Sequence, residues 1–194
     1  VELQNETIHN VNVQGKRGNI AQVRNCIEYD FVPNKLLIQQ NEYIHFQFIG
    51  SDFNPPGNEG EGRDGTDRNN VVLIESYKSN IPFVNFTNMN TQESIQLFTD
   101  EIMTILATLG QDINNQSQCF NYTELTILNR RNEQQSLRNC ALLNRAEPYF
   151  NLSPQKPMRN GTMKVMNSRN NNFSNRGQKL NIIVLAYLNQ TNMR

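Results

Sequence analysis

The chain lacks an excess of charge of either sign, and it lacks any long apolar run. Its 194 residues include 18 basic and 18 acidic side chains, so the formal net charge is +0. Such a balance does not favour attraction to nucleic acid or to an anionic membrane surface. The longest uninterrupted apolar run, residues 182–188, is far shorter than the roughly 20 residues that a membrane-spanning helix needs. The composition therefore predicts no nucleic-acid partner and no membrane span in this segment.

Hydrophobic residues are also scarce, at 37% of the chain against about 45–50% in ordinary domains. Charged residues make up only 19%, whereas the 32 Asn and 16 Gln together make up 48 of the 194 residues. Amides therefore supply the polarity, unlike the charge that marks disordered segments. The apolar residues are clustered into short runs, and the length suits one domain covering residues 1–194. Because the sequence starts at Val1 without an initiator Met or a signal peptide, we expect this domain to be a piece of a longer multidomain chain.

The chain contains only three cysteines and two histidines. The absence of Cys-x-x-Cys spacing gives no support to a zinc or redox motif. Cys119 and Cys140 flank a hydrophilic stretch and are predicted to form a disulfide, while Cys26 is either a buried small residue or bridges to a segment outside this chain. His9 and His45 each lie in an alternating segment, a position more typical of a hydrogen-bonded side chain than of a metal ligand.

Motifs of catalysis are missing as well. The sequence has no Gly-x-Ser-x-Gly elbow, and the glycines at residues 57–65 lack the lysine and the following helix of a phosphate-binding loop. We therefore predict that the protein is not an enzyme. An enzyme with an unrecognised site, such as a carboxylate pair formed in space, is the alternative that the sequence leaves open.

Asparagine forms an unusual number of glycosylation sequons. Asn-x-Ser/Thr occurs eight times, at Asn5, Asn85, Asn115, Asn121, Asn151, Asn160, Asn172 and Asn189. About three would arise by chance, because Ser and Thr make up 20 of the 194 residues. The excess predicts a secreted or cell-surface glycoprotein carrying N-linked glycans.

Not all eight sequons are equally good acceptors. Those ending in threonine are favoured, namely Asn5, Asn85, Asn121, Asn160 and Asn189. Asn151 is a poorer acceptor because Pro154 follows its sequon. Asn172 is expected to be bare, because it lies among successive asparagines that are suited to hydrogen-bonding a turn.

Short apolar runs with a period of two recur between turn-rich stretches, which is the pattern of a β-sandwich. The predicted strands are Ile8–Val13, Val23–Phe31, Tyr43–Ile49, Val71–Ile74, Thr162–Met166 and Lys179–Leu188. Pro33 and Asn34 mark a turn. In the third of these strands, Ile44, Phe46 and Phe48 share one face, so that strand is expected to be half-buried.

One segment has helical spacing instead. Apolar residues from Ile95 to Leu109 recur at intervals of three and four, Asn90 and Glu93 form a plausible capping pair, and Gly110 provides a stop. The pattern predicts one inserted helix over about 91–109, packed across an end of the sandwich.

A long connection at residues 51–70 is rich in glycine and acidic residues. Its carboxylates are Asp52, Glu59, Glu61, Asp64 and Asp67. Their spacing does not follow the EF-hand order, and two arginines intervene. We expect an ordered loop held by a pair between Arg68 and a carboxylate. Calcium or glycan binding by this loop is the alternative.

Several distinctive stretches lie along the chain, at residues 27–34 (IEYDFVPN), 43–51 (YIHFQFIGS), 65–70 (GTDRNN), 138–144 (RNCALLN) with 148–150 (PYF), and 168–179 (SRNNNFSNRGQK). Together they resemble the DD3-3-like proteins of protists, which are secreted multidomain proteins with cupredoxin-like modules. The resemblance implies an all-β, cupredoxin-like Greek-key β-sandwich over roughly residues 20–190. Phe48 stands where tryptophan is expected in the family.

The cupredoxin likeness allows a test for copper. A blue-copper site needs a cysteine thiolate and two imidazoles. In copper-carrying relatives the thiolate lies in a Gly-Thr-Tyr-x-Tyr-x-Cys-x-x-His pattern, which here corresponds to residues 161–170. Asn167 then occupies the cysteine position and Asn170 the histidine position. An amide has neither the softness nor the charge of a thiolate, so no type 1 copper and no other cofactor is predicted.

These observations predict a non-enzymatic structural or adhesive module of a secreted or cell-surface glycoprotein. We expect it to belong to a repeating extracellular assembly whose partners are other protein chains or copies of itself. Zero net charge does not oppose such packing, and the edges of an open sandwich offer unpaired backbone groups.

Overall fold

A computed structural model of the protein describes residues 5–15, 29–53, 65, 67–83, 94–127, 136–169 and 177–186. Within these ranges the chain forms eight strands and two α-helices. The strands are β1 (Ile8–Gly15), β2 (Tyr29–Val32), β3 (Lys35–Gln39), β4 (Tyr43–Ile49), β5 (Val72–Leu73), β6 (Tyr149–Asn151), β7 (Gly161–Met166) and β8 (Lys179–Leu185). The helices are α1 (Asp100–Thr108) and α2 (Tyr122–Thr126), and a 3₁₀ turn covers Cys140–Leu142.

The strands form two four-stranded sheets, with orders β2-β1-β4-β6 and β3-β8-β7-β5. Pairs β1–β4 and β3–β8 are parallel, and the other strand pairs are antiparallel. Parallel neighbours cannot be joined by a tight hairpin, so the chain must cross over before such a pair can form. The predicted all-β sandwich is confirmed.

Alternating side chains of β4 face the hydrophobic core, which also contains buried residues of the other sheet. Ile44, Phe46 and Phe48 are buried, while the residues between them are half-buried. The Phe46 ring meets Phe98 edge-on at 5.9 Å between centroids, and Phe48 stacks on Phe150 at 5.8 Å. Aromatic pairs at such distances stabilise a core beyond their buried area alone. The predicted face of this strand is therefore the one that faces the core.

Two strands were missed by the period-two pattern, and two of the predicted strands fall partly outside the described residues. Strand β3 has the sequence KLLIQ, in which Leu36 and Leu37 are adjacent and hide the alternation. Strand β6 has only three residues, too few to establish any period. The predicted strand Val23–Phe31 is described from Tyr29 onward. The last predicted strand, Lys179–Leu188, ends earlier than expected, at Leu185, and residues 187–188 lie outside the described ranges.

The predicted helix over 91–109 is wrong at its start. Helix α1 begins at Asp100, and the Thr99 hydroxyl caps it by accepting a hydrogen bond from the Ile102 N–H at 3.3 Å. Its end is as predicted, because Leu109 and Gly110 both adopt left-handed conformations there. The proposed capping pair Asn90 and Glu93 lies outside the described residues.

Residues 94–98 are non-helical, and the first two of them bond to β7. The Ile95 N–H donates to the Thr162 carbonyl at 2.8 Å, and the Ser94 hydroxyl accepts from the Lys164 N–H at 2.8 Å. Leu97 and Phe98 are nevertheless buried. Their spacing reflects packing along a strand edge, which sequence periodicity cannot distinguish from one turn of helix.

Lys179, at the start of β8, is a buried lysine whose effect on stability can be tested. It is 9% exposed, its Nζ donates to the Tyr77 carbonyl at 2.8 Å, and desolvation lowers the pKa of its ammonium group. In the pH range between the lowered pKa and the ordinary pKa of lysine, the unfolded chain binds more protons than the folded chain. The free energy of unfolding should therefore rise with pH in that range.

We predict that Lys179→Met removes this alkaline gain, because the variant has no ammonium group to titrate. Chemical denaturation at a series of pH values from neutral to about pH 11 gives the free energy of unfolding of both proteins. The difference between wild type and variant isolates the Lys179 contribution, because contributions common to both proteins cancel. The exposed residue Lys35 provides the control, Lys35→Met. A constant difference between wild type and Lys179→Met across the range would contradict the prediction.

Candidate functional site

Asn167 lies at the centre of a buried network of amide side chains. It follows β7 directly and has no exposed surface. Its Nδ2 donates to Asn69 Oδ1 at 2.8 Å and to Gln178 Oε1 at 2.5 Å, and its Oδ1 accepts from the Arg169 N–H at 2.9 Å. Both donor and acceptor ends of the amide are therefore engaged. Buried amides satisfied in this way fix the positions of the segments that carry them.

A second pair, Asn70 and Ser168, extends the network toward helix α1. Asn70 Oδ1 accepts from the Ser168 N–H at 2.9 Å, while its Nδ2 donates to Ser168 Oγ at 2.9 Å and to the Ala107 carbonyl at 2.8 Å. One amide thus joins the segment before β5, the segment after β7 and the helix. We name Asn69, Asn70, Asn167, Ser168 and Gln178 the amide cluster.

The strand registers explain why these residues meet. Val72 lies opposite Met166 in β5–β7, so the residues just before β5 face those just after β7. Met166 in turn lies opposite Lys179 in β7–β8, which brings Gln178 to the other side of Asn167. The Asn167 N–H donates to the Gln178 carbonyl at 3.1 Å and continues that ladder. The cluster therefore sits where three neighbouring strands begin or end.

The residues present do not fit type 1 copper. Asn167, at the position expected for the thiolate, is uncharged and engaged by Asn69 and Gln178, so the soft anionic ligand of that site is replaced by a hydrogen-bonded amide. Asn170 lies outside the described residues. In the described part of the chain, no group of three His, Cys, Asp or Glu side chains is placed to hold a metal ion.

The two histidines are not brought together. His9 lies opposite the buried Ile44 in the β1–β4 register, and its Nε2 lies 2.9 Å from Glu42 Oε2. His45 lies on the other face of the same sheet, 2.9 Å from Asn10 Oδ1 and 2.6 Å from Asn151 Oδ1. Each imidazole thus has hydrogen-bond partners of its own, in line with the interpretation of both as hydrogen-bonded side chains.

The predicted disulfide is present between Cys119 and Cys140. Their Cα atoms are 5.5 Å apart, and both residues are buried, at 2% and 4% exposure. The adjacent Arg138 guanidinium lies 4.5 Å from the centre of the Phe120 ring, and the Phe120 N–H donates to the Arg138 carbonyl at 2.8 Å. The bridge therefore joins two segments that also bond through their backbones. Cys26 lies outside the described residues.

Helix α2 was not predicted, although the sequence carries a signal for it. Asn121 Oδ1 accepts from the Glu124 N–H at 2.9 Å, and Glu124 Oε2 accepts from the Asn121 N–H at 2.8 Å. This is a reciprocal capping box, and the Asn-x-x-Glu spacing that forms it is visible in the sequence. The helix has only five residues, so no apolar periodicity accompanies the cap.

Of the five favoured sequon asparagines, three are described. Asn5, Asn121 and Asn160 are all exposed, while Asn85 and Asn189 lie outside the described residues, as does Asn172. At Asn121 the side-chain oxygen serves the cap, and the nitrogen, the atom to which a glycan is attached, makes no hydrogen bond with described residues. Attachment at these three positions therefore requires no buried group to move, and their occupancy stays a prediction.

Arg68 holds the described ends of the 51–70 loop. Its guanidinium, only 3% exposed, donates to Asp52 Oδ1 at 2.6 Å, to the Ala146 carbonyl at 2.7 Å and to the Asp67 carbonyl at 3.1 Å. The expected pair between Arg68 and a carboxylate is thus formed with Asp52. Glu59, Glu61 and Asp64 lie outside the described residues, so calcium binding by the loop stays an untested alternative.

A mainly apolar cleft of about 390 Å³ lies between α1 and β5. Leu73, Phe83 and Met103 are among its lining residues, and its polar end holds Gln96, whose Nε2 donates to Asp100 Oδ1 at 2.7 Å. Asp100 is the one titratable side chain that lines this cleft in the described part of the protein. The cleft therefore offers packing space without a cluster of reactive groups.

The two sheets form a β-sandwich, and the amide cluster lies beside the end of β7. The family model of the DD3-3 cupredoxin-like domain matches residues 6–184, and the chain belongs to this family. Comparison with curated proteins gives no match, and comparison with solved structures gives none either. Among the described helices, none is both long enough and apolar enough to span a bilayer.

Proposed function

We propose that this domain is a non-enzymatic structural or adhesive module of a secreted or cell-surface glycoprotein. The observation that carries the proposal is the amide cluster. In it the Asn167 side chain is hydrogen-bonded to Asn69 and Gln178, at the position expected for the thiolate of copper-carrying relatives. A group held in this way stabilises neighbouring segments and has no proton or electron to transfer at neutral pH. The role of the module then depends on its surfaces.

Two further observations support an oxidising, extracellular location. The Cys119–Cys140 bridge is of a kind that persists in secreted proteins and is rare in reducing compartments. The three described asparagines of the favoured sequons are all exposed, as surface glycosylation requires. Neither observation depends on the metal argument.

We predict that native material carries N-linked glycans at one or more of Asn5, Asn85, Asn121, Asn160 and Asn189, with Asn172 bare. Peptide mapping by mass spectrometry, before and after enzymatic glycan release in ¹⁸O water, identifies each occupied site. Asn151, a sequon with Pro154 downstream, serves as an internal comparison. Bare peptides at all five favoured positions would remove the secretory part of the proposal.

The assembly part of the proposal is tested by imaging native material. Ordered arrays or filaments that contain this domain are expected, because zero net charge does not oppose close packing of copies. Dispersed single particles would contradict it. Glycan mapping and imaging are independent, so either part of the proposal can fail alone.

A further inference from the structure

Among the described strands, β3 is the outermost of its sheet and pairs on one side with β8. Two backbone bonds show which residues face that neighbour. The Asn181 N–H donates to the Asn34 carbonyl at 3.0 Å, and the Gln40 N–H donates to the Leu185 carbonyl at 2.9 Å. Because backbone groups alternate sides along a strand, the even-numbered residues face β8 and the odd-numbered ones face away.

The outward backbone groups available for pairing are limited at both ends of β3. Glu42 Oε2 accepts from the Gln39 N–H at 2.9 Å, and the Glu42 N–H donates to the Gln39 carbonyl at 3.1 Å. At the other end, Pro33 has no N–H to donate. The outward backbone groups left for another strand are those of Lys35 and Leu37, which bond to no other described residue across this edge.

We propose that the edge of β3 is a self-association surface, at which a second copy of this chain pairs antiparallel about a two-fold axis at Leu36. In this register Lys35 of each copy lies opposite Leu37 of the other, and the outward N–H and C=O groups of both residues form four hydrogen bonds. A register centred on Leu37 would instead need the groups of Gln39, which Glu42 already occupies.

The charges at this edge favour a second copy in the antiparallel sense. Lys35 begins the strand, and the Glu42 carboxylate sits at its far end, on Gln39. Antiparallel pairing brings the lysine of each copy toward the glutamate of the other, whereas parallel pairing would align like charges. Opposite charges near both ends of the pair favour this orientation, and the same Glu42 carboxylate also lies 2.9 Å from His9 Nε2 of its own copy.

The side chains along the edge give the pairing an apolar component. Leu37 is 58% exposed and lies opposite Ile183 of β8, on the outer face of the sheet, with Leu185 exposed one step further along. In the paired form this strip continues into the second copy, and the two sheets become one of eight strands. The inference rests on the proposed function in one respect, since it names the partner and contact of the proposed assembly.

A proline substitution tests the backbone pairing. Leu37→Pro removes an outward N–H and leaves the β3–β8 ladder intact, so the fold should be retained. It deletes two of the four bonds between copies, and the dissociation constant measured by sedimentation of the full chain should rise by about tenfold or more. Leu37→Ala keeps the N–H and serves as the control, with a smaller loss expected. Equal association of wild type and Leu37→Pro, or no association of the wild type, would overturn the inference.

A cross-linking experiment tests the register. In a Cys26→Ser background, Lys35→Cys and Leu37→Cys proteins are mixed and oxidised, and the products are identified by mass spectrometry. Opposed residues of a bonded antiparallel pair have Cα atoms about 5.5 Å apart, which suits a disulfide. Mixed Lys35→Cys/Leu37→Cys dimers should therefore dominate over dimers of either variant alone. A majority of like-with-like dimers would overturn the register.

Cross-linking and imaging together distinguish a failure of this inference from a failure of the proposed function. If native arrays are seen by imaging but contain no contact at β3, the inference fails while the proposed assembly stands. If β3 pairs in solution but native material is dispersed, the assembly proposal fails while the surface stands.

Discussion

Arg68→Met should lower the free energy of unfolding by about 3 kcal/mol, because removal of one partner from a buried charged network leaves the others unpaired. The Ala146 and Asp67 carbonyls would each lose their guanidinium donor, and Asp52 would lose its counter-ion. We expect a loss at the lower end of the range for broken buried ion pairs, since the Asp52 side chain is 45% exposed and can be rehydrated. Denaturant unfolding, with the transition midpoint and slope both recorded, measures the change.

Arg138→Met is the matched control for this prediction. The Arg138 side chain is 44% exposed, its ion pair with Glu124 is 3.5 Å long, and its guanidinium lies 4.5 Å from the centre of the Phe120 ring. Loss of both contacts should cost about 1 kcal/mol, and at most about 2 kcal/mol. Similar losses for the two variants would show that Arg68 does not anchor the loop as its contacts indicate. A change in slope for Arg68→Met alone would show that the substitution alters the compactness of the native or denatured state, or that unfolding is no longer two-state.

Replacing both bridged cysteines, as Cys119→Ala with Cys140→Ala, should lower the free energy of unfolding by about 3 kcal/mol. The bridge closes a loop with a sequence separation of 21, and a cross-link of that span restricts the unfolded chain by an amount of this order in the chain-entropy model. Thermal unfolding with and without reductant measures it.

The reductant provides the control for the disulfide prediction. It should destabilise the wild type to the level of the double variant and leave the double variant unchanged. A wild type that is insensitive to reductant, although fully reduced by thiol assay, would contradict the role given to the bridge. Sensitivity of the double variant would point to Cys26 instead.

Local patterns in the sequence predicted those elements whose burial in the fold agrees with their own sequence pattern. Strand β4 was found with its bounds because Ile44, Phe46 and Phe48 face the core, while the residues that alternate with them are only partly buried. Burial and sequence period therefore agree. The end of α1 was found because Gly110 has a local conformational reason to be there. Its start was not, because Ser94 and Ile95 bond to β7, a contact about 70 residues away in sequence that no local pattern encodes.

The candidate site, like the fold, was only partly predictable from the sequence. The identity of Asn167 was sufficient to argue against a thiolate ligand, because chemistry alone decides that point. That Asn69 and Gln178 would surround it was not predictable, since it depends on two strand registers. The Arg68 partner was anticipated as a carboxylate, but Asp52 could not be chosen from five acids until the loop ends were placed.

The position of β8 has a consequence for synthesis of the protein in the cell. Strand β8 lies between β3 and β7, although it is made about 140 residues after β3. At translation rates of roughly 5–20 residues per second, β3 waits on the order of 10 to 30 s for its neighbour. Throughout this interval the apolar side chains of Leu36 and Ile38 lack the strand that later covers them, and both edges of β3 are open to another chain. During this interval a chaperone or a neighbouring nascent chain on the same message would have access to β3, because the strand that closes one of its edges has yet to be made.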